Sequence, residues 1–168
     1  MPQRWLSAAL MFFGVFNFSA SAQQPKPGAL GAEDLKKLVP EVYFFRGQSA
    51  SVQVRNSGGI ATADGKFVLA SLVDTSGYAS DMQAKYQGLL ITEVKLKVGG
   101  SELAPGEYGF GFLKDGKFLV MDVGGNDVLS VAASSDDKLA RPVPLKIVQD
   151  GGQYRLYAGR KWVSLKPE

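Results

Sequence analysis

Apolar and polar residues alternate with a period of two along most of the chain from residue 41 onward. Ser51–Arg55 and Val94–Val98 show this most clearly, with valine or leucine at every second position. Such alternation indicates a strand with one face on a core and the other in water. Lys66–Val73 is almost continuously apolar, which is typical of a strand covered on both faces. The runs predict an all-β fold of about nine or ten strands, as an antiparallel sandwich or partly closed barrel.

Short glycine-containing pairs separate the predicted strands. Asp64-Gly65 indicates a two-residue hairpin, and Asp115-Gly116 and Asp150-Gly151 mark further turns. Asn56–Gly59 is predicted as another turn from its polar and glycine residues. The recurrence of Asp-Gly-Lys-Phe after residues 63 and 114 favours convergent hairpin chemistry over duplication, because the flanking residues do not align.

Two short stretches depart from the strand pattern. Ala32–Val39 places its apolar residues on one helical face, with acidic residues early, lysines late and Pro40 as a stop. We therefore predict a short N-terminal helix there. Residues 80–87 are compatible with a second short helix, with Ser80 or Asp81 as its cap and Gly88 as its stop.

The first residues resemble an export signal. Arg4 precedes an apolar run that ends in Ala20-Ser21-Ala22, a small-residue pattern typical of a cleavage site. The alternative, an uncleaved anchor, needs about 20 apolar residues, and the run is shorter. We expect a cleaved signal peptide over residues 1–22, a flexible leader over 23–31 and a single domain over 32–168. The mature protein is then periplasmic or secreted, without a transmembrane segment.

The sequence contains neither histidine nor cysteine. This excludes disulfides, thiolate and imidazole metal ligands, cysteine nucleophiles and Ser-His-Asp triads. We therefore expect no catalytic residues, no metal site and no cofactor. A carboxylate-dependent enzyme acting on polysaccharide is an alternative, because Asp74, Asp81 and Glu93 flank the irregular segment and could converge.

The charges of the chain are nearly balanced and scattered. Nineteen lysines and arginines oppose sixteen acidic residues, for a net charge of +3. No basic stripe is present, so nucleic acid is not an expected partner.

Two stretches are candidates for a binding site. In Tyr108–Phe112 the aromatic residues share one strand face, and Gly109 and Gly111 leave the other face bare. That bare face fits either close sheet packing or a shallow ligand groove. The segment Asp74–Gly88 is inserted between strong strands, and it is either a lid over a cavity or a plain connection. The residues of this segment that we assign to ligand binding are Tyr78, Met82, Tyr86 and Gln87.

The pattern Gly-x-x-Leu-x-Pro-Gly-x-Tyr runs from Gly100 to Tyr108 and precedes an aromatic strand. It resembles small exported bacterial β-sandwich proteins of unknown function, a resemblance that implies a fold but no catalytic residues. We expect an exported, non-catalytic binding or accessory module of the bacterial envelope, whose partner is a small ligand, a glycan or an envelope protein. A lipocalin-like carrier of a small apolar ligand is the alternative, and it requires a closed barrel with an unfilled interior.

Overall fold

Two antiparallel sheets face each other in the computed structural model, which describes residues 25–168. The all-β prediction is confirmed, and the fold is a sandwich rather than a closed barrel. The predicted signal peptide, residues 1–22, lies outside the described residues. Within the described part of the chain, no helix is long and apolar enough to cross a membrane.

The larger sheet has eight strands. In chain order they are β1 (Gly28–Ala29), β2 (Val42–Phe45), β3 (Gln48–Ala61), β4 (Phe67–Val73), β5 (Gly88–Thr92), β8 (Gly106–Phe112), β9 (Lys117–Met121) and β10 (Asp127–Ala132). Side by side they run β1-β3-β4-β5-β8-β9-β10, and β2 pairs with the first part of β3.

The smaller sheet has six strands. They are β6 (Leu96–Val98), β7 (Ser101–Leu103), β11 (Ser134–Ser135), β12 (Val143–Asp150), β13 (Gln153–Gly159) and β14 (Lys161–Pro167). Their order is β12-β13-β14-β6-β7, and β11 pairs with β14. The fourteen strands within residues 25–168 exceed the nine or ten expected, because several strands of two or three residues are too short for an alternation pattern to reveal.

Both predicted helices are present, as α1 (Ala32–Leu38) and α2 (Ser80–Gln83). The helix α2 is shorter than predicted and begins after Ala79, without a side-chain cap from Ser80 or Asp81.

The main core fills the space between the sheets. Its buried side chains come from both sheets and include the rings of Phe110, Phe112 and Phe118. The outer face of the larger sheet is also covered, by α1 at one side and by β2 with Asp74–Gly88 at the other. The strand β4 is therefore buried on both faces, as its apolar sequence predicts.

Asn56–Gly59 does not form the predicted turn but lies inside β3, after an irregularity in its pairing with β4. Here the glycines permit close packing instead of chain reversal. A Cβ on Gly58 would lie 2.7 Å from the backbone nitrogen of Ile147, and one on Gly59 would lie 2.6 Å from Leu30.

The Asp64-Gly65 hairpin has three loop residues rather than the two predicted. Thr62 donates its N–H to the carbonyl of Lys66, and Gly65 adopts a φ of 78°. The loop containing Asp115-Gly116 has the same form, with Leu113 bonded to Lys117. An Asp-Gly pair suits this longer loop as well as a two-residue turn, since both require a residue with positive φ.

The motif from Gly100 to Tyr108 carries the chain from β7 in the smaller sheet to β8 in the larger one. Leu103 is buried in the main core, and the Tyr108 hydroxyl donates to the carbonyl of Ala104 at 3.0 Å. The Tyr108 ring lies against Gly106, where a Cβ would be 3.1 Å from its hydroxyl oxygen. The motif therefore fixes a crossing between sheets.

The described part of the predicted leader makes backbone pairs. Gly28 and Ala29 pair with Ala61 and Ile60, and Leu30 donates to the carbonyl of Gly59. Because β3 has a free edge at this point, even two extended residues gain ladder hydrogen bonds there.

Candidate functional site

The bare face of β8 is filled by other parts of the protein. A Cβ on Gly109 would lie 2.5 Å from the ring of Phe45 and 3.1 Å from that of Tyr86. At Gly111 a Cβ would collide with the backbone carbonyl of Lys85. The expected groove over the two glycines is therefore closed, and their lack of side chains admits the segment Asp74–Gly88 at backbone distance.

Aromatic rings fill the space over Gly109. Phe45 and Tyr86 stack with centroids 4.0 Å apart and planes 18° from parallel, while Tyr78 meets Tyr86 edge-on at 5.1 Å. Tyr86 is 0% exposed, and Tyr78 and Met82 are buried in the same cluster. These three predicted binding residues thus serve as core of the outer layer.

The tyrosine hydroxyls in this layer differ in their hydrogen bonding. Tyr78 donates to the carbonyl of Phe45 at 2.9 Å, with the Gln48 carbonyl at 3.2 Å. Among the described residues, the buried hydroxyls of Tyr43 and Tyr86 have no hydrogen-bond partner. Burial raises the pKa of both phenols far above 10, and the charge of Glu107 raises that of Tyr43 further.

Gln87 is occupied by backbone groups of β8. Its side-chain amide donates to the carbonyl of Phe112 at 3.1 Å and accepts from the Phe112 N–H at 2.9 Å. Its own N–H donates to the carbonyl of Phe110. The Gln87 side chain continues the hydrogen bonding between β5 and β8 past the first residue of β5. It therefore holds the segment Asp74–Gly88 against the sheet.

The structure therefore brings all six predicted site residues together, but as a packed contact between Asp74–Gly88 and β8. Two of the six, Tyr78 and Met82, also border an opening, which we call the hairpin cavity. It has a volume of about 420 Å³. Its lining residues come from the β2–β3 turn and from α2: Arg46, Gly47, Gln48, Tyr78, Ala79, Asp81 and Met82.

Two of the three carboxylates considered for catalysis, Asp74 and Glu93, lie at opposite ends of β4. Asp74 follows the end of β4 and accepts the N–H of Ser76, whereas Glu93 accepts the N–H of Phe67 at the start of β4. A strand of this length separates them by roughly 20 Å, well beyond the spacing of a glycosidase pair. No group of three or more acidic residues within residues 25–168 is arranged to hold a metal ion.

A further opening lies at one end of the sandwich, and we call it the end cleft. Its volume is about 520 Å³, within the usual range for sites that bind small molecules. It is bordered by the β3–β4 and β12–β13 turns, β1, and the end of β14. The lining residues are Pro27, Gly28, Ile60, Ala61, Thr62, Ala63, Asp64, Val94, Gln149, Gly152, Tyr154, Pro167 and Glu168.

Hydrogen-bond acceptors dominate the polar groups of the end cleft. The Thr62 hydroxyl donates to Asp64 at 2.5 Å, which lowers the pKa of that carboxyl. Lys97 bonds to Glu168 at 2.7 Å and lowers its pKa as well. Both carboxylates are therefore ionised at neutral pH. The Gln149 amide and the half-buried ring of Tyr154 complete the lining.

Sequence patterns did not indicate the end cleft. Its residues belong to segments that are far apart in the chain, and none of them stands in an unusual local pattern. The turns predicted at Asp64-Gly65 and Asp150-Gly151 were the available signals, because turns at the ends of a sandwich cluster in space.

Comparison with protein-family models, curated proteins and solved structures found no match for this chain. Its function must therefore be inferred from its own residues. The lipocalin-like alternative requires a closed barrel with an unfilled interior. The structure has two sheets with a filled core between them instead.

Proposed function

We propose that this chain is an exported, non-catalytic binding module of the bacterial envelope that holds a small polar ligand in the end cleft. The observation that carries the proposal is the cleft itself, a cavity of about 520 Å³ bordered by turns from both sheets. Turns held by a rigid sandwich are common positions for binding sites.

The chemistry of the lining favours a ligand rich in hydroxyl groups, such as the end of a glycan. Asp64 and Glu168 present carboxylate oxygens that accept hydrogen bonds, and Gln149 supplies both a donor and an acceptor. The Tyr154 ring adds an apolar surface, on which one face of a sugar ring can rest.

Export is supported by the pattern of the first residues, in which Arg4 and an apolar run precede Ala20-Ser21-Ala22. Amino-terminal sequencing of the protein recovered from its producing cell tests this part. A chain that begins at Gln23 is expected, and retention of Met1 would contradict export by a cleaved signal.

Binding is tested by NMR titration of the labelled protein with two soluble glycans, chitotetraose and cellotetraose. We expect amide shifts at Thr62, Gln149 and Gly152 with at least one of them. Gln149→Ala should weaken binding by about tenfold, since it removes hydrogen bonds to the ligand. Shifts confined to other parts of the surface, or none with either glycan, would refute the glycan proposal.

Asp81→Ala is the matched control for that titration. Asp81 is exposed and borders the hairpin cavity, at a different place from the end cleft. Its substitution should leave the glycan affinity unchanged. A loss of affinity in this variant, together with normal binding by Gln149→Ala, would transfer the site to the hairpin cavity.

A further inference from the structure

Another cavity lies between α1 and β3, and we call it the helix cavity. Its volume is about 500 Å³, within the usual range for sites that bind small molecules. It shares no lining residue with the end cleft or the hairpin cavity. Leu35 and Val54 belong to the apolar cluster beneath α1 and form its floor. The lining residues are Ala32, Glu33, Leu35, Lys36, Glu41, Val54, Arg55 and Ser57.

A bulge in β3 forms one wall of the helix cavity. The pairing of β3 with β4 is interrupted between Val52 and Ser57, so the chain there leaves the ladder. Side-chain hydroxyls hold this shape. Ser57 donates to the carbonyl of Val54 at 2.5 Å, and the hydroxyl of buried Ser71 lies within hydrogen-bond distance of two carbonyls of the bulge. Bulges redirect side chains, and this one places Arg55 at the cavity.

Charges of both signs surround the apolar floor. Lys36 and Arg55 are basic, whereas Glu33 and Glu41 are acidic, and all four are exposed. None of the four forms an ion pair within residues 25–168, although ion pairs occur elsewhere in this part of the chain. The N–H of Val52 donates to the carbonyl of Glu41 and holds that residue beside β3. Opposite charges therefore line one cavity without neutralising each other.

We infer that the helix cavity binds a small aliphatic zwitterion, namely an amino acid or a short peptide with free termini. The carboxylate of such a ligand accepts hydrogen bonds from the basic pair, and its ammonium group donates to the acidic pair. Its aliphatic side chain rests on the floor of Leu35 and Val54. A ligand with a single charge would use only half of these charged groups, and an uncharged ligand would form no ion pair with any of them.

NMR titration of the labelled protein with L-leucine and with L-alanyl-L-leucine tests this inference. We expect shifts at the amides of Leu35, Arg55 and Ser57 with at least one of them. Converting the carboxylate of the bound ligand to an amide, or acetylating its amine, should each raise the dissociation constant by about tenfold, since each removes an ion pair. No shifts at these amides with either ligand at about 10 mM would overturn the inference. Equal affinity for the free and the blocked forms would overturn it as well.

Two variants assign the ends of the ligand. Arg55→Gln should weaken binding of the free ligand by about tenfold but should not weaken binding of its amide, which lacks the carboxylate. Glu41→Gln should likewise weaken binding of the free ligand and spare the N-acetylated form. A general disturbance of the fold would weaken all forms alike, and that result would contradict the assignment. Circular dichroism verifies that both variants remain folded.

Lys37→Gln is the matched control for Lys36→Gln. Both lysines are exposed on α1, but only Lys36 lines the helix cavity. Each substitution removes one positive charge from the same helix, so the two variants differ in position alone. Lys36→Gln should weaken binding of the free ligand several-fold, and Lys37→Gln should leave it unchanged. Equal weakening in the two variants would mean that the net charge of the protein, instead of the cavity, attracts the ligand, and it would overturn the inference.

Discussion

The face of β8 over Gly109 and Gly111 and the end cleft are built in opposite ways. The face of β8 has the more distinctive sequence, in which glycines alternate with aromatic residues, and other parts of the protein fill it completely. The end cleft is lined by ordinary residues of turns and strand ends, and it is open. The distinctive residues here satisfy close packing, whereas the proposed binding site lies in a region without a local sequence pattern.

The contrast also changes the interpretation of Asp74–Gly88. A lid can be removed without harm to the fold, whereas this segment contributes buried side chains to the layer over the larger sheet. Deleting it should therefore unfold the outer layer instead of opening a cavity.

Tyr86→Ala should have the largest effect. The side chain is fully buried and stacked on Phe45, so its loss should lower the free energy of unfolding by about 3–5 kcal/mol. Gln149→Ala in the end cleft should change that free energy by less than about 0.5 kcal/mol. Urea denaturation of both variants measures the difference. Similar small losses in both would mean that Tyr86 is not part of a packed core.

Gly111→Ala should lower the free energy of unfolding by about 2–3 kcal/mol, because the new methyl group meets the backbone carbonyl of Lys85. The control is Gly77→Ala in the same segment, where a Cβ has no described atom within 4 Å. Its stability should stay within about 0.5 kcal/mol of the parent protein. Equal denaturation midpoints for the two variants would show that the face is open.

Alkaline pH should weaken the filled face. The phenols of Tyr43 and Tyr86 have raised pKa values in the folded protein, so their contribution is complete below the ordinary value of 10.0 and is lost as the pH rises above it. We expect these two phenols to account for a loss of about 3 kcal/mol by pH 11, from ionisation in the unfolded state. In Tyr86→Phe the loss should be about half as large. Denaturation curves at pH 9 and 11 measure it, and an unchanged loss in the variant would contradict the burial of this phenol.

The two hydroxyls should differ when each is removed. Tyr78→Phe deletes a hydrogen bond to the carbonyl of Phe45 and should cost about 1 kcal/mol. Tyr86→Phe deletes a hydroxyl without a described partner, so it should be neutral or slightly stabilising. Thermal unfolding of both variants at pH 7 gives the comparison. A larger loss of stability in Tyr86→Phe than in Tyr78→Phe would mean that the Tyr86 hydroxyl makes the stronger hydrogen bond.

Local patterns predicted much of the fold. The separation of aromatics and glycines in β8, the double burial of β4 and the two helices all follow from residue spacing over a few positions. The two-residue loop predicted at Asp64-Gly65 was wrong, because an Asp-Gly pair suits two hairpin types. The prediction of a turn at Asn56–Gly59 was wrong, since glycine permits close packing as readily as it permits a turn.

The candidate site was harder to predict because it depends on contacts between distant segments. Nothing near Gly111 indicates that the carbonyl of Lys85 will lie against it. In the same way, no local feature of Thr62, Gln149 or Glu168 shows that they border one cleft. Such juxtapositions are determined by the order of strands in the sheets, which alternation alone does not specify.

Proton NMR of the folded protein shows whether the face of β8 is filled, by locating the rings of Phe45 and Tyr86 relative to Gly109. Because both rings lie against Gly109, its α-protons should show strong Overhauser contacts to them and upfield ring-current shifts. Gly109 α-protons at ordinary chemical shifts, without contacts to either ring, would show that the face of β8 is open and would contradict the packing of Phe45 and Tyr86 on it.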